Sequence, residues 1–330
     1  MKPFILLMLC FSTFAWGIPE ADFPALWKNE ALPYFQSFHN KILKNKQSLN
    51  LRIFYKIRPE NHRNLVVVPG RTEPAIKYAE LLYDLRYTDF NIFILDHQGQ
   101  GQSQRLLKDP HKGHIINFQD YVNDFELFID QVKELAPKHD YYLIAHSMGA
   151  AISAHFMARR PEFFLKAVFV APMFEMNTKP YSERIARYFS RLLILAGRGA
   201  HYAPDRGPYL PEEDTFERNE VTHSLVRFEA SKYLFMEYPH LVVGGPTSRW
   251  VNQAINATRK IDLLGSKIKT PILLFQSGMD LIVKPNRQET FCEKANCQLK
   301  LFPDSHHEIL MEKDSIRDEA LSDIGVFLGF

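Results

Sequence analysis

The sequence has no long run of lysine and arginine, and it contains only three cysteines. Its 330 residues include 40 lysines and arginines against 38 aspartates and glutamates, which gives a net charge of +2. Nucleic-acid binding depends on clustered basic residues that neutralise phosphates, so this balance predicts no nucleic-acid partner. Hydrophobic residues make up 46% of the chain and charged residues 24%, a composition that excludes a largely disordered protein.

Long apolar runs are also absent, except near the start of the chain. Residues 3–16 follow Lys2 and are mostly apolar, and Ala15 and Gly17 provide the small residues that a signal peptidase requires. The run is shorter than the ~20 apolar residues that span a bilayer. We therefore predict a cleaved signal peptide at residues 1–17 and an exported protein, either periplasmic or secreted.

Cleavage would leave two cysteines, Cys292 and Cys297. In an oxidising compartment they could form a short-loop disulfide, and otherwise they would be two partly buried thiols. Their spacing, without a histidine or further cysteine nearby in the sequence, makes a poor zinc site. The histidine spacings give no other ligand set, so the sequence predicts no metal and no cofactor.

Strand-like and helix-like segments alternate along most of the chain, which is typical of a parallel sheet flanked by helices. In the clearest helix, residues 118–135, apolar side chains recur at steps of three and four. The alternation stops between residues 175 and 258, and we interpret this stretch as a helical insertion. An α/β core is therefore predicted from residues 18–174 and 259–330, with strands at 51–57, 64–68, 90–95, 141–145, 165–170, 271–275 and 297–302. Further helices are predicted at 75–85, 148–159 and 313–328.

The insertion is expected to be a cap or lid, because ligands of open α/β sheets bind outside the carboxyl ends of the strands. In residues 182–198, arginines and apolar side chains occupy opposite sides of a predicted helix. Such a helix can lie on an anionic membrane surface, or it can pack its apolar side on the core and leave its basic side in solvent. The side chains concerned are Arg184, Arg187 and Arg191 on one side and Ile185, Phe189, Leu192 and Leu193 on the other.

The strongest chemical signal is Ser147, in the segment Ala-His-Ser-Met-Gly at residues 145–149. This segment follows a predicted strand and begins a helix of small residues. A serine on a sharp strand-to-helix turn needs small neighbours two positions away on either side, because the backbone there is crowded. The helix N-terminus adds N–H groups and a positive dipole end for a developing anion. We predict that Ser147 is a nucleophile.

A serine hydroxyl needs a general base, and that base needs an orienting acid. Asp280 follows a predicted strand end, and a histidine doublet, His306 and His307, lies in the loop after the last predicted strand. Asp304 is the weaker candidate for the acid, because it adjoins the doublet and cannot easily approach the ring from behind. Geometry alone does not separate His306 from His307.

A tetrahedral intermediate needs two N–H donors for its oxyanion. Met148, the residue after the nucleophile, is expected to supply one of them. Arg71 is expected to supply the other from the loop after the strand at 64–68, where Gly70 lets the backbone turn inward.

These motifs resemble those of α/β hydrolases of the monoacylglycerol lipase type and, within them, bacterial lysophospholipases of the L-two type. The resemblance extends from about Arg52 to Phe327. It is carried by the oxyanion loop at residues 69–73, the glycine-rich turn at 96–103, the serine motif at 145–149, the segments 171–174 and 244–250, and His307 with its following glutamate.

The resemblance implies an α/β-hydrolase fold with a cap and a triad of Ser147, Asp280 and His307. It selects His307 over His306, because the family's catalytic histidine is followed directly by glutamate. It also implies hydrolysis of the acyl ester of a lysophospholipid through an acyl-enzyme, with release of a free fatty acid.

Two other activities would use the same scaffold. A monoacylglycerol lipase or general lipid esterase would need the same three side chains. An aminopeptidase of the proline iminopeptidase kind would also need an acidic subsite for the substrate amine, and nothing in the insertion clearly provides one. Lysophospholipids or monoacylglycerols are therefore the expected substrates, and an anionic membrane surface is the one peripheral partner considered.

Overall fold

A computed structural model describes residues 17–137 and 140–330 of the chain. The predicted signal peptide falls on residues 1–17, and all but its last residue lies outside the described residues. None of the helices within the described ranges combines the length and the apolar character that crossing a membrane requires.

Within the described residues, eight strands form a single, mostly parallel sheet, which confirms the predicted fold class. The order is β1-β2-β4-β3-β5-β6-β7-β8, and only the β1–β2 and β2–β4 pairs are antiparallel. The strands are β1 (His39–Lys44), β2 (Asn50–Lys56), β3 (Arg63–Val68), β4 (Phe90–Leu95), β5 (Asp140–His146), β6 (Lys166–Val170), β7 (Ile272–Ser277) and β8 (Cys297–Phe302).

Helices cover both faces of this sheet. A π-helical turn, Trp27–Ala31, joins the first two helices, and the predicted helix at 75–85 is an α-helix between two 3₁₀ turns, Ala75–Tyr78 and Leu85–Tyr87. The α-helices are α1 (Phe23–Leu26), α2 (Leu32–Gln36), α3 (Ala79–Asp84), α4 (Phe118–Leu135), α5 (Met148–Met157), α6 (Glu183–Leu195), α7 (Leu225–Glu237), α8 (Ser248–Thr258), α9 (Asp262–Gly265), α10 (Asn286–Lys294) and α11 (Asp314–Leu328).

The central strand β3 shows how the sheet supports a core on each face. Successive side chains of a strand point to opposite faces, and the four residues 65–68 are all fully buried. Leu65 and Val67 belong to the core that includes α3 and α11, whereas Val66 and Val68 belong to the core that includes α4 and α5. Burial of each side chain contributes roughly 1.5–3 kcal/mol, so β3 holds the loop at its carboxyl end firmly.

The helix α4 carries a buried carboxylate, Asp124, on the side that packs against the core. Its two oxygens accept hydrogen bonds from the amide groups of Asn45 at 3.0 Å and Gln98 at 2.6 Å. Burial raises the pKa of Asp124 to about 7, because the two hydrogen bonds only partly offset the loss of solvent. An unfolded aspartate titrates near pH ~4, so the folded state binds the extra proton between about pH 4 and 7, and stability falls as pH rises through that window.

Asp124→Asn is expected to remove this loss of stability with rising pH. At pH 8 its free energy of unfolding should exceed that of wild type by on the order of 2–4 kcal/mol, at ~1.4 kcal/mol per pKa unit. The new amide can donate to Gln98, whose buried Oε1 has no partner among the described residues. Urea unfolding at pH 5 and pH 8 measures the change. Asp130→Asn, at an exposed position of the same helix, is the control. Equal pH dependence in Asp124→Asn and wild type would contradict the expectation.

The stretch 175–258 contains α6, α7 and α8 and lies over the carboxyl end of the sheet, where a lid was predicted. The Glu308 N–H, in the loop after β8, donates to the Val221 carbonyl at 2.8 Å. The Arg71 guanidinium, in the loop after β3, donates to the Gly244 carbonyl. The boundaries of this insertion stay a prediction.

The helix α6 does not pack its apolar side on the core. It contacts α8 through Ser190, whose hydroxyl accepts a hydrogen bond from Asn252 at 3.1 Å. Five of its large apolar side chains are instead between 42% and 74% exposed, whereas Leu193, expected on the same side, is half-buried together with Ile194. The five exposed side chains form an exposed apolar stripe, defined as Ile185, Tyr188, Phe189, Leu192 and Leu195.

The two cysteines whose state the sequence left open are joined in the structure. A disulfide links Cys292 of α10 to Cys297 at the start of β8, with Cα atoms 5.0 Å apart. It closes the short turn between these two elements.

Candidate active site

Ser147 occupies a strained turn between β5 and α5. Its backbone has φ 48° and ψ −114°, a conformation that residues with side chains rarely adopt. A Cβ on Gly149 would lie against the Val68 carbonyl oxygen and 2.5 Å from the Pro69 carbonyl oxygen, so glycine is needed there. Ala145, which replaces the more usual glycine on the other side, is fully buried. The small neighbours expected from the sequence therefore have a steric reason.

The structure brings together the three residues that the sequence singled out. His307 Nε2 lies 2.9 Å from Ser147 Oγ, and His307 Nδ1 lies 2.6 Å from Asp280 Oδ2. With Nδ1–H donating to the carboxylate, Nε2 is free to accept the serine proton. Ser147 and His307 are only 6% and 5% exposed, so the reacting atoms are shielded from bulk water.

The alternative candidates do not meet at this point. Asp304 is exposed. His306 has its Nδ1 3.3 Å from the Met279 carbonyl, and its ring stacks on His223 at 3.9 Å between centroids. Neither side chain contacts Ser147.

Asp280 is held in its ionised form. Its Oδ1 accepts the backbone N–H groups of Ile282 at 2.8 Å and Val283 at 2.9 Å. Burial acts to raise the pKa of Asp280, but the adjacent His307 and these hydrogen bonds outweigh burial and lower that pKa below its usual value. A charged carboxylate is therefore in place to stabilise an imidazolium.

The predicted oxyanion donors lie on the two loops beside Ser147. Within the described ranges, neither the Arg71 N–H nor the Met148 N–H has a hydrogen-bond acceptor. The Gly70 N–H, by contrast, donates to Glu73 at 2.6 Å. A Cβ on Gly70 would lie 3.2 Å from the Cβ of Ser147, so this loop contacts the serine. The arrangement fits an oxyanion hole, although the assignment of its donors stays a prediction.

Sequence reasoning missed a buried ion pair, Glu73 and His146, behind the three residues. The Glu73 carboxylate accepts hydrogen bonds from the Gly70 N–H, the Tyr78 hydroxyl at 2.7 Å and His146 Nδ1 at 2.8 Å. His146 Nε2 lies 3.2 Å from the His307 carbonyl oxygen. Because both partners of the ring accept, both ring nitrogens carry a proton.

The electrostatics agree with an ion pair at this position. Burial acts to raise the pKa of Glu73, but the charges of His146 and Lys77 outweigh it and hold that pKa well below its usual value. Burial acts to lower the pKa of His146, and the Glu73 carboxylate more than compensates, so that pKa is raised. The pair thus ties the oxyanion loop to the backbone of the His307 loop.

A serine-hydrolase family model matches most of the chain. Residues 59–314 match Hydrolase_4, described as serine aminopeptidase, S33. The chain belongs to the Hydrolase_4 family.

Two curated relatives of this protein are named as bacterial lysophospholipases. Lysophospholipase L2 of Escherichia coli K12 is 36% identical over 285 residues, covering 81% of each chain. Probable lysophospholipase L2 of Haemophilus influenzae is 31% identical over 303 residues, covering 91% of this chain and 95% of that relative. The protein is thus an enzyme, a carboxylic ester hydrolase.

Solved structures show the same fold. The crystal structure of a soluble variant of monoglyceride lipase from Saccharomyces cerevisiae, in complex with a substrate analogue, has a TM-score of 0.68 at 15% identity. It covers 88% of this chain and 95% of that one. At this sequence identity, the structural similarity establishes only that the protein has the α/β-hydrolase fold.

Proposed function

We propose that the protein is a lysophospholipase that hydrolyses the single acyl ester of a lysophospholipid to a free fatty acid and a glycerophosphodiester. The observation that carries the proposal is His307, placed between Ser147 Oγ and Asp280 by two short hydrogen bonds. The substrate class is supported by two relatives that are more than 30% identical and are named lysophospholipase L2.

The proposed reaction proceeds through an acyl-enzyme. Ser147 Oγ attacks the ester carbonyl carbon while His307 Nε2 takes the hydroxyl proton, and the Arg71 and Met148 N–H groups bind the oxyanion. The intermediate collapses with cleavage of the bond to the glycerol oxygen, which takes the proton from His307. A water molecule then attacks the acyl-enzyme by the same route and releases the fatty acid and Ser147.

Fatty-acid release from four substrates tests the proposal. We expect faster release from lysophosphatidylethanolamine than from a monoacylglycerol or a diacyl phospholipid, and no cleavage of a proline amide. Equal or faster turnover of monoacylglycerol would instead make the protein a general lipid esterase. Cleavage of the amide alone would make it an aminopeptidase.

We further propose that α6 contacts an anionic membrane surface. The exposed apolar stripe lies beside Arg184 and Arg191, and neither arginine pairs with a carboxylate within the described ranges. Met279 and Leu281, which flank Asp280, are also exposed. An apolar face bordered by arginines is typical of helices that lie in the membrane interface.

Co-sedimentation with vesicles tests this contact. Arg184→Glu/Arg191→Glu is expected to reduce binding to phosphatidylglycerol vesicles, and Leu192→Ser is expected to reduce binding to both phosphatidylglycerol and phosphatidylcholine vesicles. Leu263→Ser, at an exposed apolar position on α9, is the control. Unchanged binding of both α6 variants would exclude the contact.

Export of the protein is also a proposal, supported by the apolar run at residues 3–16. N-terminal sequencing of the mature protein is expected to begin at Ile18. A retained N-terminus would contradict it.

A further inference from the structure

Arg71 carries a charged group that the reaction above does not use. Its guanidinium stacks near the Trp250 ring, with Cζ 5.1 Å from the ring centroid, and Nη2 donates to the Gly244 carbonyl. A Cβ on Gly113 would lie 2.7 Å from Nη2, so the absence of a side chain there makes room for the guanidinium. The side chain is therefore held in one place beneath the insertion.

This guanidinium has no anionic partner among the described residues. Its Nε is fully buried and makes no hydrogen bond. Its Nη1 also makes none within the described ranges, but it is not among the fully buried atoms, so part of its surface is open to solvent. An arginine this enclosed is normally paired, because a buried unpaired charge costs free energy.

The surroundings add to the positive field instead of neutralising it. The pKa of Arg71 is lowered to about 10, mainly by burial. Tyr121 acts to raise this pKa, and the nearby Arg206 acts to lower it. Arg71 thus stays charged at neutral pH. Arg206 is exposed, and it too has no carboxylate partner in the described part of the chain. Two unpaired cations on facing loops attract an anion.

We propose that the Arg71 side chain binds the phosphate of the lysophospholipid substrate and thereby favours phosphate-bearing lipids over neutral monoacylglycerols. This inference rests on the proposed function. Arg71 follows Gly70 in the loop that contacts Ser147, so its side chain extends beneath the insertion from the same loop that faces the ester. In a lysophospholipid only the glycerol unit separates that ester from the phosphate. Arginine's planar array of donors suits phosphate oxygens.

Arg71→Gln tests the proposal through a ratio of rates. We expect the ratio of kcat/KM for lysophosphatidylethanolamine to kcat/KM for a monoacylglycerol of the same acyl chain to fall about 10- to 100-fold, the range for losing a charge-assisted hydrogen bond. Arg71→Lys keeps the charge without the planar fork and should give an intermediate ratio. Arg259→Gln, at an exposed arginine without an ion pair, should leave the ratio as in wild type.

Two outcomes of the rate comparison would overturn the proposal. An unchanged ratio in Arg71→Gln would exclude a role for the side chain in substrate choice. An equal fall on both substrates would mean that the substitution acts only through the oxyanion loop.

Inhibition of the wild-type enzyme provides a second readout that needs no variant. With monoacylglycerol as substrate, glycerol 3-phosphate is expected to inhibit competitively, whereas glycerol is expected not to inhibit. Inorganic phosphate should inhibit more weakly than glycerol 3-phosphate. Absence of inhibition by glycerol 3-phosphate, or equal inhibition by inorganic phosphate, would contradict a lipid-phosphate site. If wild type failed to hydrolyse lysophospholipid but was still inhibited in this way, the proposed function would fail while the phosphate site would stand.

Discussion

Ser147→Ala is expected to lower kcat for lysophosphatidylethanolamine by about 10⁴-fold or more, because the atom that receives the acyl group is removed. The fold should be unaffected, since the Ser147 N–H still donates to the Val170 carbonyl at 3.0 Å and an alanine side chain fits where the serine was. Initial rates measure the loss, and circular dichroism with thermal unfolding checks the fold.

Ser153→Ala is the matched control for that variant. Ser153 is a fully buried serine on α5 whose hydroxyl has no partner among the described residues, so its removal should leave kcat near wild type. Residual activity of Ser147→Ala above ~0.1% of wild type would place the nucleophile elsewhere, since loss of a triad member typically costs more than that.

Asp280→Asn is expected to lower kcat by about 10⁴-fold while leaving KM for the substrate nearly unchanged. The amide can donate to His307 Nδ1, which favours the tautomer with the proton on Nε2, and that tautomer cannot accept the serine proton. The amide oxygen can still accept the N–H groups of Ile282 and Val283, so the loop should keep its shape.

Asp304→Asn separates the two candidate acids. Asp304 is exposed and makes no hydrogen bond or ion pair with His307, so its substitution is expected to have little effect on kcat. A larger loss in Asp304→Asn than in Asp280→Asn, at equal thermal stability, would contradict the assignment of the acid.

Three elements have the bounds that their sequence patterns predicted. The helix α4 has the bounds expected from the sequence, because apolar side chains at steps of three and four mark one buried face. The strand β4 has its expected bounds as a continuous run of buried residues. The strand β8 also has its expected bounds, although only Phe302 of its six side chains is buried. The edge strand β1 was missed. Five of its six side chains are exposed, and its membership comes from pairing with β2, for example His39 opposite Tyr55.

The meeting of Ser147, Asp280 and the histidine doublet was also predictable, because parallel strands bring their carboxyl ends to one edge of the sheet. The choice of His307 within the doublet came from the family resemblance. The partners of these residues were not predictable. Glu73 lies on the loop after β3 and His146 is the last residue of β5, and only the folded chain shows that they form an ion pair. Likewise, the sequence places Arg71 next to Gly70, but it does not show where the guanidinium points.

The exposure of the apolar side of α6 was equally beyond the sequence. The amphipathic pattern fits a helix packed on the core as well as one facing a membrane. In the structure, the side of α6 that carries Ser190 contacts Asn252 of α8, and the apolar stripe lies on the other side of the helix.

Covalent labelling tests the central claim most directly. Wild-type protein is treated with an alkyl fluorophosphonate, which reacts with activated serines, and the modified peptide is identified by mass spectrometry. We predict a single adduct, on Ser147. The labelling rate should be reduced more by lysophosphatidylethanolamine than by a monoacylglycerol of the same acyl chain. An adduct on another serine, or no adduct on an enzyme that releases fatty acid, would contradict the account.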